Sequence, residues 1–381
     1  MKKFASFATL VFWLTAIEVS AEPTIDVASL PGKFFFIGND LNELSASDRG
    51  SASQIYVMNA NGTDRRKMAP AYDSPGNLIW YAQQRRLGFN NISTDPNLNG
   101  WSIVDVTAQA ENMIAADRSA KSLPDDFPVK FFAPRWQVVN GKSEIVPNAR
   151  NYNSPVTFSP DHGKVAGVVY KSDVNAPGAF RVQMCIVGVS GGDAARCVES
   201  VEPCVGHLAA WSPDGKWLVF VGRLKEDRAA CNLFELFMVD REGRSLRQLT
   251  NVPGPKLGKS TAEAIVTPGM SLDHWHKSGQ PVWSPDSQWI AFESAKGIAK
   301  VRPDGTGFQK IAAGFSPTWS PEGSMIAYVV PRADSAVRRF RAPPPFGPSS
   351  IFVIRTDGTG ATEIAATRFP PFSYRDLNWA K

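Results

Sequence analysis

Trp211-Ser212-Pro213-Asp214-Gly215, followed by the apolar run Trp217-Leu218-Val219-Phe220, decides the fold because the chain repeats it. It returns as Trp283-Ser284-Pro285-Asp286 with Ile290-Ala291-Phe292, and as Trp319-Ser320-Pro321-Glu322-Gly323 with Ile326-Ala327-Tyr328. Phe158-Ser159-Pro160-Asp161 with Val165-Ala166 is a further copy, and Trp80 with Phe89 nine residues on is a degraded one. Internal repetition fixes an architecture before any single residue is interpreted. Each copy reads as a strand ending in an aromatic, a tight turn and a second strand. Pro presets φ in the turn, Asp bonds the backbone ahead of it, and Gly supplies a positive φ. The second strand lacks polar alternation, so both of its faces must be covered by neighbours.

A second phrase completes the unit. The apolar runs beginning at Ile55, Trp101, Cys185, Leu236, Ile298 and Ile351 read as third strands. Five of them lead, seven residues on, to Gly62, Gly192, Gly243, Gly305 and Gly358; the Trp101 copy has Ala108 there. Asn61-Gly62, Asp304-Gly305 and Asp357-Gly358 are hairpin-turn pairs by chemistry and by position. Four antiparallel strands per unit make a propeller blade. The second phrase occurs six times and the first five, and the missing first strand is supplied by Asn378-Trp379-Ala380 at the C-terminus, opposite the orphan second strand Lys33 to Ile37. The expectation is an all-β, six-bladed propeller of four-stranded antiparallel blades, its ring closed by the C-terminal strand in the N-terminal blade. Closure removes sheet edges that invite aggregation.

The recurring W-S-P-D-G phrase, with its I-A-F strand and D-G turn, resembles the TolB-like propeller repeat, over roughly residues 31 to 381. It lacks the G-H and W-D dipeptides of WD repeats. The resemblance implies a six-bladed propeller used mostly for protein contacts in the bacterial envelope. TolB also carries an α/β domain ahead of its propeller, for which little sequence is left before the first blade here, so what that domain does is not carried over.

Residues 1–21 read as a secretory signal: Lys2 and Lys3, an apolar stretch from Phe4 to Ile17, and Val19-Ser20-Ala21 before Glu22. The apolar stretch is shorter than the about 20 residues a membrane span needs. Residues 22–381 are then the propeller, exported to the periplasm or beyond, with no transmembrane segment and as a monomer. Removing Lys2, Lys3 and Glu18 takes the formal charge from +5 to +4. That is too mild for the dense basic stripe of a nucleic-acid binder. The four cysteines of an exported chain pair as two disulfides. Cys185 and Cys197 are symmetric about Gly191 in one hairpin, which leaves Cys204 with Cys231.

The long connections, residues 38 to 54, 90 to 100, 117 to 152, 171 to 180, 222 to 232, 251 to 279 and 331 to 350, join second strands to third strands or one blade to the next. They therefore share the face opposite the tight turns, where repeat folds elaborate binding surfaces. In 117 to 152, Arg135-Trp136-Gln137-Val138-Val139, Asn140-Gly141 and Lys142 to Val146 predict an extra hairpin. In 331 to 350, Arg332, Arg338, Arg339 and Arg341 stand against Asp334 alone, beside Phe340, Phe346 and the run Pro343-Pro344-Pro345. Arg and aromatics favour protein interfaces, and proline lowers the ordering cost. Arg332, Arg338, Arg339, Phe340, Arg341 and Trp136 are the candidate partner-binding residues, and the partner is an envelope protein. The competing class is a metal-dependent carbohydrate-active enzyme, or a binder of a glycan or small ligand, at the channel mouth. It rests on Asp273, His274 and His276, with His207, as ligands of a divalent metal; the binding-module reading needs no cofactor and no catalytic residue. Gly188-Val189-Ser190-Gly191-Gly192 imitates a hydrolase elbow but sits in a blade hairpin. Gly254 to Ser260 is one residue short of a P-loop and lacks its strand-helix setting.

Overall fold

The computed structural model describes residues 24–40, 54–68, 75–81, 86–91, 100–105, 135–139, 142–146, 156–172, 180–188, 195–203, 209–224, 235–250, 280–294, 297–332, 349–365 and 372–381. Among these the chain is all β, apart from a 3-10 turn at Val27–Ser29 capped by the Asp26 carboxylate. The first sheet contains β1 (Lys33–Asp40), β2 (Gln54–Asn59) and β3 (Arg66–Lys67). The second contains β4 (Pro75–Tyr81), β5 (Arg86–Asn91) and β6 (Gly100–Asp105). A separate ribbon pairs β7 (Arg135–Val139) with β8 (Lys142–Val146), placing Trp136 opposite Ile145. The third sheet holds β9 (Val156–Phe158), β10 (Lys164–Ser172), β11 (Phe180–Gly188) and β12 (Arg196–Cys197). The fourth holds β13 (Val201–Pro203), β14 (Ala210–Trp211), β15 (Trp217–Leu224), β16 (Glu235–Asp240) and β17 (Arg247–Gln248). The fifth holds β18 (Val282–Trp283), β19 (Ile290–Ser294), β20 (Gly297–Val301) and β21 (Gln309–Ala312). The sixth holds β22 (Phe315–Trp319), β23 (Met325–Pro331), β24 (Ser349–Arg355) and β25 (Thr362–Ala365). The last strand, β26 (Phe372–Ala380), leaves the sixth sheet behind and pairs antiparallel with β1, so the first sheet runs β26-β1-β2-β3.

All pairings are antiparallel, and apart from β26 on β1 and β13 on β15 they follow the sequence meander, as the hairpin chemistry requires. Two sheets depart from four strands. The second shows three among the described residues, and in the fourth the first strand is broken into β13 and β14, which both pair β15.

The lack of polar alternation in the second strands has a direct cause in packing. Leu218 and Phe220 face the third sheet while Val219 and Val221 face the fifth, so every residue of this run of β15 is buried. In β1, Phe34 and Phe36 pack with the sixth sheet, and Phe35 and Ile37 with the second. Apolar clusters of this kind join second to first, first to sixth, sixth to fifth, fifth to fourth and fourth to third. Each sheet thus has its core only where it meets a neighbour, the signature of a repeat architecture.

The turns are built from one device. Ser212 donates its hydroxyl proton to Asp214 Oδ1 at 2.6 Å and accepts the Trp217 N–H at 3.0 Å; Ser159 and Ser284 likewise donate to Asp161 and Asp286 and accept the N–H groups of Lys164 and Trp289. The following position needs a left-handed backbone: Gly215 has φ +70° and Gly323 +79°. His162 and Ser287 take the same conformation, φ +58° and +61°, in the two copies whose motif has no glycine there. Neighbouring turns touch, Asp214 N–H to Ser287 Oγ at 3.3 Å, so they gather at one end of the sheets.

Candidate functional site

The end away from these turns carries the excursions. In the second-to-third connections the chain leaves and returns between paired residues: Gly38 with Gln54, Asn91 with Gly100, Ser172 with Phe180, Gly222 with Glu235 and Pro331 with Ser349. In the fifth sheet the same connection is tight, Ser294 facing Gly297.

The base of the basic excursion, residues 332 to 348, is fastened at both its entrance and its exit. Ser349 and Ser350 are buried at its exit, and the Ser349 hydroxyl accepts the backbone N–H of Tyr374 on β26 at 3.0 Å. At its entrance Arg332 reaches Glu363 of β25 at 3.5 Å and the Ser350 hydroxyl at 3.4 Å. Tyr374, fully buried, accepts a bond from Arg65 Nη1 at 3.1 Å. Burial pushes the Tyr374 hydroxyl above its ordinary value, which the nearby Arg65 charge partly offsets. Arg332 therefore meets Glu363 and Ser350 at the root of the excursion.

Arg338, Arg339, Phe340 and Arg341 lie outside the described residues, as do Asp273, His274, His276, His207, Cys204 and Cys231. Trp136 is placed on β7, with its side chain likewise not described. Among the described residues there is no group of three or more His, Cys, Asp or Glu able to hold a metal ion, and no helix long and apolar enough to cross a membrane. Cys185 and Cys197 are opposite one another across β11 and β12 and form a disulfide.

One arrangement gave no sequence signal. The register of β22 slips between Phe315 and Thr318, and that of β26 against β1 slips at the matching place, with Ser316 at φ +54° and Asp376 at φ +50°. These bulges turn backbone groups toward the neighbouring sheet. Ser316 N–H donates to Glu293 Oε1 at 2.6 Å, Asp376 N–H donates to Ser316 Oγ at 3.1 Å, and Asn378 exchanges bonds with Leu78 O and Trp80 N–H at 3.0 and 3.1 Å. A run of polar bonds thus passes from the second strand of the fifth sheet through β22 of the sixth and β26 of the first to β4 of the second. It satisfies the backbone groups that the bulges release from the ladder. Its role is fastening.

No protein-family model matches the chain, and no curated protein matches it. Solved structures do. TolB from Acinetobacter baumannii superposes with a TM-score of 0.55 at 13% identity over 92% of this chain, which spans 66% of that protein's length, just under two thirds. A protein described as TolB from Agrobacterium tumefaciens gives 0.47 at 15% identity, covering 92% of this chain and 99% of that one. The β-propeller domain of the Trilobed protease from Pyrococcus furiosus gives 0.40 at 12% identity, covering 89% and 79%. At such identities the likeness is one of fold: the chain has a β-propeller fold like that of TolB.

Proposed function

We propose that the six sheets are the blades of one ring closed by β26 on β1, and that the protein is an exported, non-catalytic module of the cell envelope. It binds a protein partner through the face bearing the long connections. The observation that carries this reading is the closed base of the excursion at 332 to 348: Pro331 pairs with Ser349, Arg332 is tied to Glu363, and buried Ser349 bonds to β26. The segment between these fastened ends is rich in Arg and aromatic residues, Arg338, Arg339, Phe340 and Arg341, the residue types that favour protein interfaces. Export is supported by the disulfide Cys185–Cys197, since such bonds persist in oxidising compartments, and by the signal-like residues 1–21. Cys204 with Cys231 makes the second bridge.

Affinity capture from envelope extracts recovers the partner with the native chain and loses it with the triple variant R338E/R339E/R341E; undiminished recovery by that variant removes the basic excursion from the interface. Metal analysis of protein from its native compartment, with melting measured in added zinc, manganese or calcium, separates this reading from a metal-dependent enzyme built on His207, His274 and His276. Bound metal and a raised melting temperature would favour the enzyme.

A further inference from the structure

At the turn end, on the face away from the excursions, a hollow of about 410 Å3 opens between the third and fourth sheets. Its lining includes Lys164, Arg196, Arg241 and Arg244 against one carboxylate, Glu242. Two ion pairs fix its walls by crossing from sheet to sheet. Lys164 Nζ meets Glu242 at 3.4 Å, and Arg241 meets Asp161 at 2.7 Å while also donating to the Gly215 carbonyl at 3.3 Å. The other two cations are held by backbone. Arg196 sits on β12, paired with Ile186 and next to the disulfide at Cys197. Gly243, at φ +72°, lies so close that a Cβ there would stand 3.2 Å from the Arg196 Cβ, so the turn rests directly on the arginine stem. Arg244 donates its N–H to Asp240 Oδ1 at 2.8 Å, fixing its place in the same turn. Both residues are exposed, and neither is paired with a carboxylate among the described residues.

We infer that this hollow is a docking site for an acidic peptide segment, with Arg196 and Arg244 receiving its carboxylates. Planar guanidinium forks match carboxylates in a bidentate fashion, and a cleft lined by one sign of charge concentrates the opposite sign. The volume is within the about 300–1,000 Å3 typical of ligand pockets, more than a single small anion fills. The charged lining disfavours an apolar guest. The site is separate from the excursion face, so the two interactions succeed or fail independently.

The test is fluorescence anisotropy of a labelled hexaglutamate peptide with the full chain at low salt. Saturable binding is expected, weakened at least about tenfold in R196E/R244E, weakened less in R196Q/R244Q, and unchanged in R338E/R339E/R341E. Circular dichroism and melting of the two hollow variants should match the parent, since both side chains are exposed. Equal binding by R196E/R244E, or equal loss in the excursion variant, would show nonspecific charge attraction and overturn the inference. So would displacement of the peptide by inorganic phosphate at matching concentration, which would make the hollow a site for a small anion.

Discussion

An indole N–H buried between two sheets has to find an acceptor, and the repeat supplies one at a fixed place. Trp211 donates to Thr157 O at 3.2 Å, Trp283 to Ala210 O at 3.0 Å and Trp319 to Val282 O at 3.1 Å. Each acceptor immediately precedes the aromatic of the preceding sheet's copy. Trp379 breaks the rule: its indole goes to Pro31 O at 2.8 Å, while its backbone N–H goes to Thr318 Oγ1. The last copy therefore ties down the segment that enters β1. The charges at the turns act at the same scale. Hydrogen bonding from Ser159, then from Arg241, holds the Asp161 carboxyl well below the ordinary carboxylate range, against the opposing effect of burial. A carboxylate with a lowered folded-state value stabilises the fold fully above its unfolded value of about 3.9, and that contribution fades as pH falls below it. Asp161 is more than half exposed, so solvent screening limits the effect to about 0–1 kcal/mol. Asp161→Asn should thus melt below the parent at pH 7, with the gap narrowing below about pH 4. A gap of the same size at pH 3 and pH 7 would refute this assignment.

At the scale of elements, β12 is only two residues long and holds its place on β11 by two register pairs and one disulfide. A strand that short gains little from its ladder, so the covalent link matters more there than in β10 or β11. Closing the 12-residue separation between Cys185 and Cys197 restrains the unfolded chain by about 2–4 kcal/mol in the chain-entropy account. The paired variant C185S/C197S should lower the unfolding free energy by that order, read from urea denaturation, and loosen Arg196 with it. Mass mapping of unreduced peptides should find Cys185 joined to Cys197 and Cys204 to Cys231; Cys197 joined to Cys204 would sink the pairing. Elsewhere the elements compensate for irregularity. The bulges at Ser316 and Asp376 cost ladder bonds and recover them from Glu293 and Ser316 of adjoining sheets. Lys300 is another local cost: burial lowers its pKa, while its ammonium donates to Thr356 O at 2.6 Å and lies 4.3 Å from the Trp289 ring centre.

At the scale of the molecule, β26 carries more than its nine residues would indicate. It pairs with β1, packs Tyr374, Leu377 and Trp379 into the cluster shared with the sixth sheet, and reaches the second sheet through Asn378. Removing residues 372–381 would expose the edge of β1 and uncover Phe34 and Phe36 at once. The truncated chain should lose cooperative unfolding and aggregate, measured by calorimetry and light scattering; a truncated chain that melts as sharply as the parent would mean that the strand only decorates a self-sufficient fold.

Sheet composition and strand pairing were legible in the sequence because both rest on local rules. The Pro, Asp and Gly of a tight turn, and the absence of polar alternation in Leu218 to Phe220 or Phe34 to Ile37, describe their surroundings without reference to distant residues. The facing of Cys185 and Cys197 followed from hairpin symmetry alone. The split of copies between the termini was legible too, since the count of strands balances only when Trp379 is set beside β1. What the tertiary structure decided involves partners remote in sequence. Arg332 lies beside Glu363, a residue of another strand that no local rule pairs with it. The positive φ at Ser316 and Asp376 has no glycine to announce it and is held by bonds to other sheets. The basic hollow exists only where the Lys164, Arg196 and Arg241–Arg244 segments of two separate sheets converge. Local backbone chemistry is written residue by residue and repeats in register; the meeting of side chains across a sheet-to-sheet junction is set by packing geometry, and the sequence carries no period for it.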